Sequence, residues 1–143
     1  MIQEESIEIA APASRIWAVW TDVERWPEWT RSMNSVSLLN KRPFAVGSKA
    51  RIRQPGLPPA TWRITRVEPE RLFVWESASI GLKTVAVHSI ESRGDDRCVA
   101  KMRLETKGLL SFLLQPFSAK AHQYLGMEAR GLKARSEALE AAK

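Results

Sequence analysis

The amino-acid sequence predicts an α+β domain. It reads as one antiparallel sheet of about seven strands, a long C-terminal helix on its concave face, and an aromatic helical elbow after the first strand. Three observations carry this reading. From about residue 33, short runs alternate apolar and polar residues between turn sequences. Residues 110–139 repeat apolar side chains at helical spacing. Ahead of both, IWAVWTDVERWPEWT (16–30) holds four of the six tryptophans beside Asp22 and Pro27.

SIEIAAP alternates and stops at Pro12, which predicts a strand that ends there and a helix that begins there. In ASRIWAVWT, Ala13, Ile16, Trp17 and Trp20 share one helical face, and Arg15 points away. Asp22 stands where an N-cap would open a second short helix, VERW, which Pro27 keeps brief or bent. Six further strands follow, near SVSLLN, SKARIRQ, TWRITRVE, RLFVWESA, KTVAVHSIES and RCVAKMRLET. Their separators are RPFAVG, PGLPP, EPER, SIGL and RGDD. Connections this short make consecutive antiparallel hairpins. The chain closes with a helix on which Leu110, Leu114, Phe117, Ala121, Leu125, Leu132 and Leu139 form an apolar stripe, its start kinked or delayed by Pro116.

Alternation assigns the faces of each strand. Trp62 and Ile64 lie together, as do Phe73, Trp75 and Ser77, then Ala86, His88 and Ile90, then Cys98, Ala100, Met102 and Leu104. These mainly apolar rows are what a sheet presents to a covering helix. Arg51, Arg53, Arg63, Lys101, Arg103 and Glu76 fall on the outer face.

The 143 residues suit a single domain, 1–143, with neither linker nor internal repeat. One cysteine, Cys98, excludes an internal disulfide and a multi-thiolate metal site. The N-terminus has no signal-like apolar run, and no stretch is apolar enough to span a bilayer, so stable membrane insertion is not expected and a cytoplasmic location is. The net charge of +6 comes from scattered residues rather than a basic block, which reads as a solvated surface and not as a nucleic-acid interface. No Gly-rich phosphate loop, G-x-S-x-G or metal-ligand spacing is present, so no cofactor and no metal are called for.

This order of elements resembles the START-like (SRPBCC) superfamily and its helix-grip fold, and is most similar to the polyketide cyclase/dehydrase branch. APASRIWAVWTDVERWPEW, VGSKARI, TWRITRVEPERLFVWES, the His within VAVHSIES and the closing YLGMEARGLKARSEALE carry the resemblance over almost the whole chain. It implies a sheet curled around the last helix and an apolar cavity between them. Members bind lipids, polyketides, quinones or other hydrophobic molecules, and some catalyse cyclisation or dehydration. The resemblance is specific for fold rather than for activity.

Several residues are placed for chemistry in such a cavity. His88 faces inward, where it serves either as general acid or base or as a pocket-lining hydrogen-bonding group. Glu128 falls on the apolar stripe of the last helix, an expensive position for a carboxylate unless it is partnered or reaches the rim. Tyr124 brings the one phenol to the same space. His88, Glu128 and Tyr124 are thus the candidate catalytic set, and Trp29, Trp62, Ile64, Phe73, Trp75, His88, Ala100, Met102, Leu125 and Glu128 the candidate ligand-binding set. The expected function is binding of a hydrophobic or aromatic small molecule. Two alternatives stand beside it: a cyclase- or dehydratase-like enzyme using His88 with Glu128 or Tyr124, and a protein-interaction module whose cavity its own side chains fill.

Overall fold

The computed structural model describes residues 1–40 and 44–143. Seven strands form one antiparallel sheet: β1 (Ile2–Ile9), β2 (Ser35–Leu38), β3 (Lys49–Arg53), β4 (Ala60–Glu68), β5 (Leu72–Ser79), β6 (Leu82–Ser92) and β7 (Cys98–Lys107). Their order across the sheet is β1-β7-β6-β5-β4-β3-β2, so β2 to β7 are a meander and the first strand closes against the last. Two α-helices complete the fold, α1 (Ala13–Thr21) and α2 (Ser118–Ala141). Each adjoins a 3-10 helix, Val23–Glu28 after α1 and Ser111–Phe117 before α2. This is the curled sheet gripping a long C-terminal helix that the sequence predicts. Of the turn read at RPFAVG, Arg42 and Pro43 lie outside the described residues.

The strand faces follow the alternation. Phe73, Trp75, Ala86, His88, Ile90, Cys98, Ala100 and Met102 are buried, and Arg51, Arg53, Arg63 and Lys101 are exposed. Register pairs the inward residues across the ladder: Trp75 opposite Ala86, Phe73 opposite His88, and His88 opposite Met102. A bulge between Ile64 and Arg66 makes Thr65 the extra residue, after which Val67 comes opposite Phe73.

Four local expectations are decided, three of them as corrections. First, β1 runs from Ile2 to Ile9 rather than to Pro12. Pairing with β7 outlasts the sequence alternation at its start, and the chain bends away after Ile9. Pro12 still opens α1, its carbonyl accepting from the Arg15 and Ile16 amides. Second, Asp22 makes no side-chain cap. Its carboxylate meets the Arg25 guanidinium at 3.2 Å, and the segment beyond is a 3-10 helix that accommodates Pro27. Third, Pro116 delays the last helix, one of the two outcomes expected of it: residues 111–117 wind as 3-10 and α2 begins after them. Fourth, the apolar stripe is not buried throughout. Leu110 and Leu139 are exposed, and the buried side of α2 is Gly126, Glu128, Ala129, Leu132 and Ser136.

Polar clasps fix the C-terminal half of α2. Glu137 accepts from the Ala10 amide at 2.8 Å and from Lys133 at 2.7 Å, and Lys133 also donates to the Glu8 carbonyl at 2.9 Å. Arg15 meets Glu140 at 3.1 Å, and Arg135 meets Glu28 at 2.7 Å. The elbow approaches α2 so closely at Gly131 that a Cβ there would overlap the Trp29 carbonyl oxygen. Backbone cannot yield as a flexible side chain does. Gly131→Ala is therefore expected to destabilise the fold by about 1–3 kcal/mol in urea denaturation. Gly126→Ala, whose added Cβ meets only the end of the Arg130 side chain, should be neutral or stabilising by up to about 1 kcal/mol. Equal effects at the two glycines would refute this account of the elbow.

Candidate functional site

Between the sheet and α2 lies a cavity of about 630 Å³. That falls inside the roughly 300–1,000 Å³ typical of small-molecule sites. Its walls come from the inner rows of β3 to β7, from Leu114 and Phe117 of the second 3-10 helix, and from Ala121, Tyr124, Leu125 and Glu128 of α2. The β3–β4 loop (Leu57, Pro58, Pro59) and the strand ends beside the β5–β6 turn (Ser79, Leu82) border it at one end. Trp26, His88 and Glu128 also line it. The bulky inward set (Trp62, Phe73, Trp75, Met102, Leu104) does not fill this space.

Glu128 is buried, and its Oε2 accepts a hydrogen bond from the Trp20 indole N–H at 3.0 Å. The same oxygen lies 3.7 Å from His88 Nε2. Aromatic rings enclose the imidazole. Phe73 stacks on it with centroids 4.1 Å apart and planes 9° from parallel, and Trp20 and Trp75 stand edge-on at 5.1 and 5.6 Å. Trp26 lies at 6.0 Å, and its own indole N–H donates to the Trp20 carbonyl at 3.0 Å. Among the described residues, no hydrogen bond of ordinary geometry reaches His88 Nδ1.

This enclosure sets the protonation states. Burial lowers His88 to about 3, the nearby Phe73 backbone opposing only in part. Burial raises Glu128 to about 7, and the Trp20 hydrogen bond opposes that rise. At neutral pH the imidazole is uncharged, so the 3.7 Å approach is not an ion pair. Of this pair, Glu128 is the group that gains or loses a proton near neutrality. Cys98 is buried, and burial pushes its thiol up, which leaves it the small protonated apolar side chain its position suggests.

The candidate residues separate clearly. Trp62, Trp75, His88, Tyr124, Leu125 and Glu128 all line the cavity. Ile64, Phe73, Ala100 and Met102 are instead buried in the core that supports it. Trp29 packs against α2 at Gly131 and does not border the cavity; its neighbour Trp26 does. The two rings stay in contact across the 3-10 helix that holds Pro27, their centroids 5.5 Å apart, and only the Trp26 ring reaches the cavity. The Tyr124 hydroxyl donates to the Pro55 carbonyl of the β3–β4 loop, so it ties α2 to that loop rather than offering a free phenol. Sequence reasoning missed Trp20 as the partner of Glu128. The available signal was the buried helical face of α1 combined with a carboxylate that had to find a donor.

Sheet, gripped helix and the cavity between them define a START-like (SRPBCC) protein. The chain belongs to the family described as Polyketide cyclase / dehydrase and lipid transport, whose sequence profile matches residues 3–137. Among solved structures it is similar to norcoclaurine synthase from Thalictrum flavum, seen as a point mutant in complex with a transition-state analogue. The TM-score is 0.73 at 18% identity, over 100% of this chain and 96% of that one. A START superfamily protein from Mycobacterium smegmatis matches with TM-score 0.75 at 17% identity, over 96% of this chain and 98% of that one. A Thermobifida fusca protein matches with TM-score 0.75 at 16% identity, over 97% and 95%. At such identities the likeness is one of fold. No curated protein matches the chain in sequence.

The site generates a pH signature. The folded protein holds the Glu128 proton up to about 7, whereas an ordinary carboxylate near 4.5 has released it in the unfolded chain. Glu128 therefore contributes its stability in full below 4.5 and loses it as pH rises through about 7. His88 works in the opposite sense, contributing in full above 6.5 and losing it as pH falls toward 3. Glu128→Gln keeps an acceptor for Trp20 but cannot ionise. Its stability relative to the parent should climb between pH 4.5 and about pH 8, by on the order of 3 kcal/mol. Chemical denaturation across that range tests this, and a pH-independent difference would rule it out.

Proposed function

We propose that the protein binds a hydrophobic or aromatic small molecule in the cavity, with Glu128 as the polar anchor, Trp20 orienting its carboxyl, and Trp26, Trp62 and Trp75 as flat apolar walls. The observation that carries this reading is the combination of a large unfilled interior with one hydrogen-bonded carboxyl on its wall. Apolar burial supplies affinity at roughly 25 cal/mol per Å², and a single polar contact sets orientation. Phe73, Ile64, Ala100 and Met102 act behind these walls as packing. The description of the family, which names both cyclase/dehydrase and lipid transport, supports a ligand of this character.

One observation favours an enzymatic second reading. A buried carboxyl held at about 7 beside an uncharged imidazole is suited to take or give a proton near neutral pH. In a cyclase- or dehydratase-like reaction, Glu128 would be the proton carrier and His88 an uncharged neighbour that accepts a hydrogen bond. Tyr124, engaged with Pro55, would shape the cavity. The likeness to norcoclaurine synthase fits a small-molecule reaction in this fold without specifying which one. The unfilled interior weighs against the interaction module with a closed core.

Fluorescence titration with N-phenyl-1-naphthylamine tests the binding reading, because three cavity tryptophans report on occupancy. The expected result is saturable 1:1 binding that Ala121→Trp, which fills the cavity from α2, weakens by at least about 10-fold with the thermal midpoint retained. Equal affinity in the two proteins would sink it. Where turnover of a substrate is found, Glu128→Gln should abolish it, and kcat/KM should titrate near pH 7.

A further inference from the structure

One surface of the molecule is unlike the rest. Ile80 is 94% exposed at the tip of the β5–β6 turn, and Leu109 is 91% exposed in the turn after β7. Phe112 and Leu113 of the 3-10 helix before α2 are exposed as well. These residues form one patch. The Leu110 amide donates to the Gly81 carbonyl at 2.9 Å, the Leu110 side chain lies against Gly81, and the Leu113 amide donates back to the Leu110 carbonyl at 3.0 Å. The patch is continuous with the cavity rim, since Leu82, Leu114 and Phe117 belong to the same turn and 3-10 helix and face inward.

The charge around it is one-sided. Residues 77–90 and 106–127 contain no Asp or Glu, and the β3–β4 loop across the mouth, QPGLPP, is uncharged. The lysines there are Lys83, Lys107 and Lys120. Glu76 and Glu105, on the strands behind, pair with Lys83 at 2.7 Å and Lys107 at 3.7 Å, whereas Lys120 has no ion pair among the described residues. A run of large apolar side chains in water is costly on a free soluble surface, and this one is bordered by lysines with carboxylates only on the strands behind. It matches a lipid interface, where apolar side chains enter the headgroup boundary and lysines meet anionic headgroups. No helix among the described residues is long and apolar enough to cross a membrane, so the contact is peripheral.

We propose that this rim docks the protein on an anionic phospholipid bilayer. Ile80, Leu109, Phe112 and Leu113 insert shallowly, Lys83, Lys107 and Lys120 lie at the headgroups, and the cavity mouth faces the membrane. This surface goes beyond the cavity reading and does not depend on what the cavity holds.

Co-sedimentation with two kinds of vesicle tests it, pure phosphatidylcholine and phosphatidylcholine with about 30% phosphatidylglycerol. The expected result is at least about 10-fold tighter binding to the anionic vesicles, weakened by high salt. The double change F112S with L113S should reduce that binding at least about 10-fold, and I80S on the neighbouring turn should act in the same direction. All three positions are exposed, and an unchanged thermal midpoint confirms that the variants fold. Binding that survives F112S/L113S, or no binding to the anionic vesicles, overturns the proposal. A concentration-dependent dimer lost in F112S/L113S, without vesicle binding, also overturns it and assigns the patch to a second copy of the chain.

Discussion

The arrangement turns on the burial of one carboxyl. Glu128 projects from α2 into a region bounded by tryptophan, phenylalanine and imidazole rings, and among the described residues only the Trp20 indole answers it at hydrogen-bond distance. An ionised carboxylate there would lack solvation, so the proton stays on the group to about neutrality. The same contact joins α1 to α2 across the inside of the molecule. Trp26 then ties the 3-10 helix to the end of α1 through the Trp20 carbonyl, and Gly131 lets that elbow rest directly on α2. Packing, protonation and the polar part of the cavity wall thus share one small set of atoms.

The fold was legible in the sequence where periodicity and punctuation agree. Parity along FVWES, VAVHSI and CVAKMRL gives each strand one inward row even where both faces carry apolar residues, the turns between them are short, and strand identity and facing follow. Legibility failed at element ends. The Gln3–Glu5 stretch carries no apolar alternation, yet it pairs along β7 because a neighbouring strand offers its backbone groups whatever the side chains are. Asp22 has the chemistry of a cap but finds Arg25 first. Helical spacing around Leu110 and Leu114 looks alike whether the backbone is α or 3-10, and Pro116 decides in favour of the tighter winding.

The candidate site was legible in kind and less so in membership. His88 and Glu128 stand out because polar groups on apolar faces need a physical reason, and the structure brings them within 3.7 Å. Alternation tells inside from outside, but it does not distinguish a cavity wall from the solid core. That distinction depends on how far the sheet curls and where α2 lies. Met102 and Ala100 point inward as Trp75 does, yet they meet packed side chains rather than space. Trp26 and Trp29, three residues apart, were separable only once the backbone path around Pro27 was known.

The gripping helix is held unevenly. Its buried residues all lie from Gly126 onward, and the clasps to Glu8, Ala10, Arg15 and Glu28 gather on its C-terminal turns. Ahead of Gly126, its ties to the rest of the molecule include the Ser118 carbonyl, which accepts from Gln3, and Tyr124, which reaches Pro55. Mechanically this is a cantilever, fixed at one end over the dry aromatic cluster and lightly pinned at the other over the mouth. Opening the pinned end costs far less than unfolding the sheet, because few apolar contacts are given up. The first turns of α2 therefore have less packing to give up than the clasped C-terminal turns, and the carboxyl with its indole partner lies beyond them.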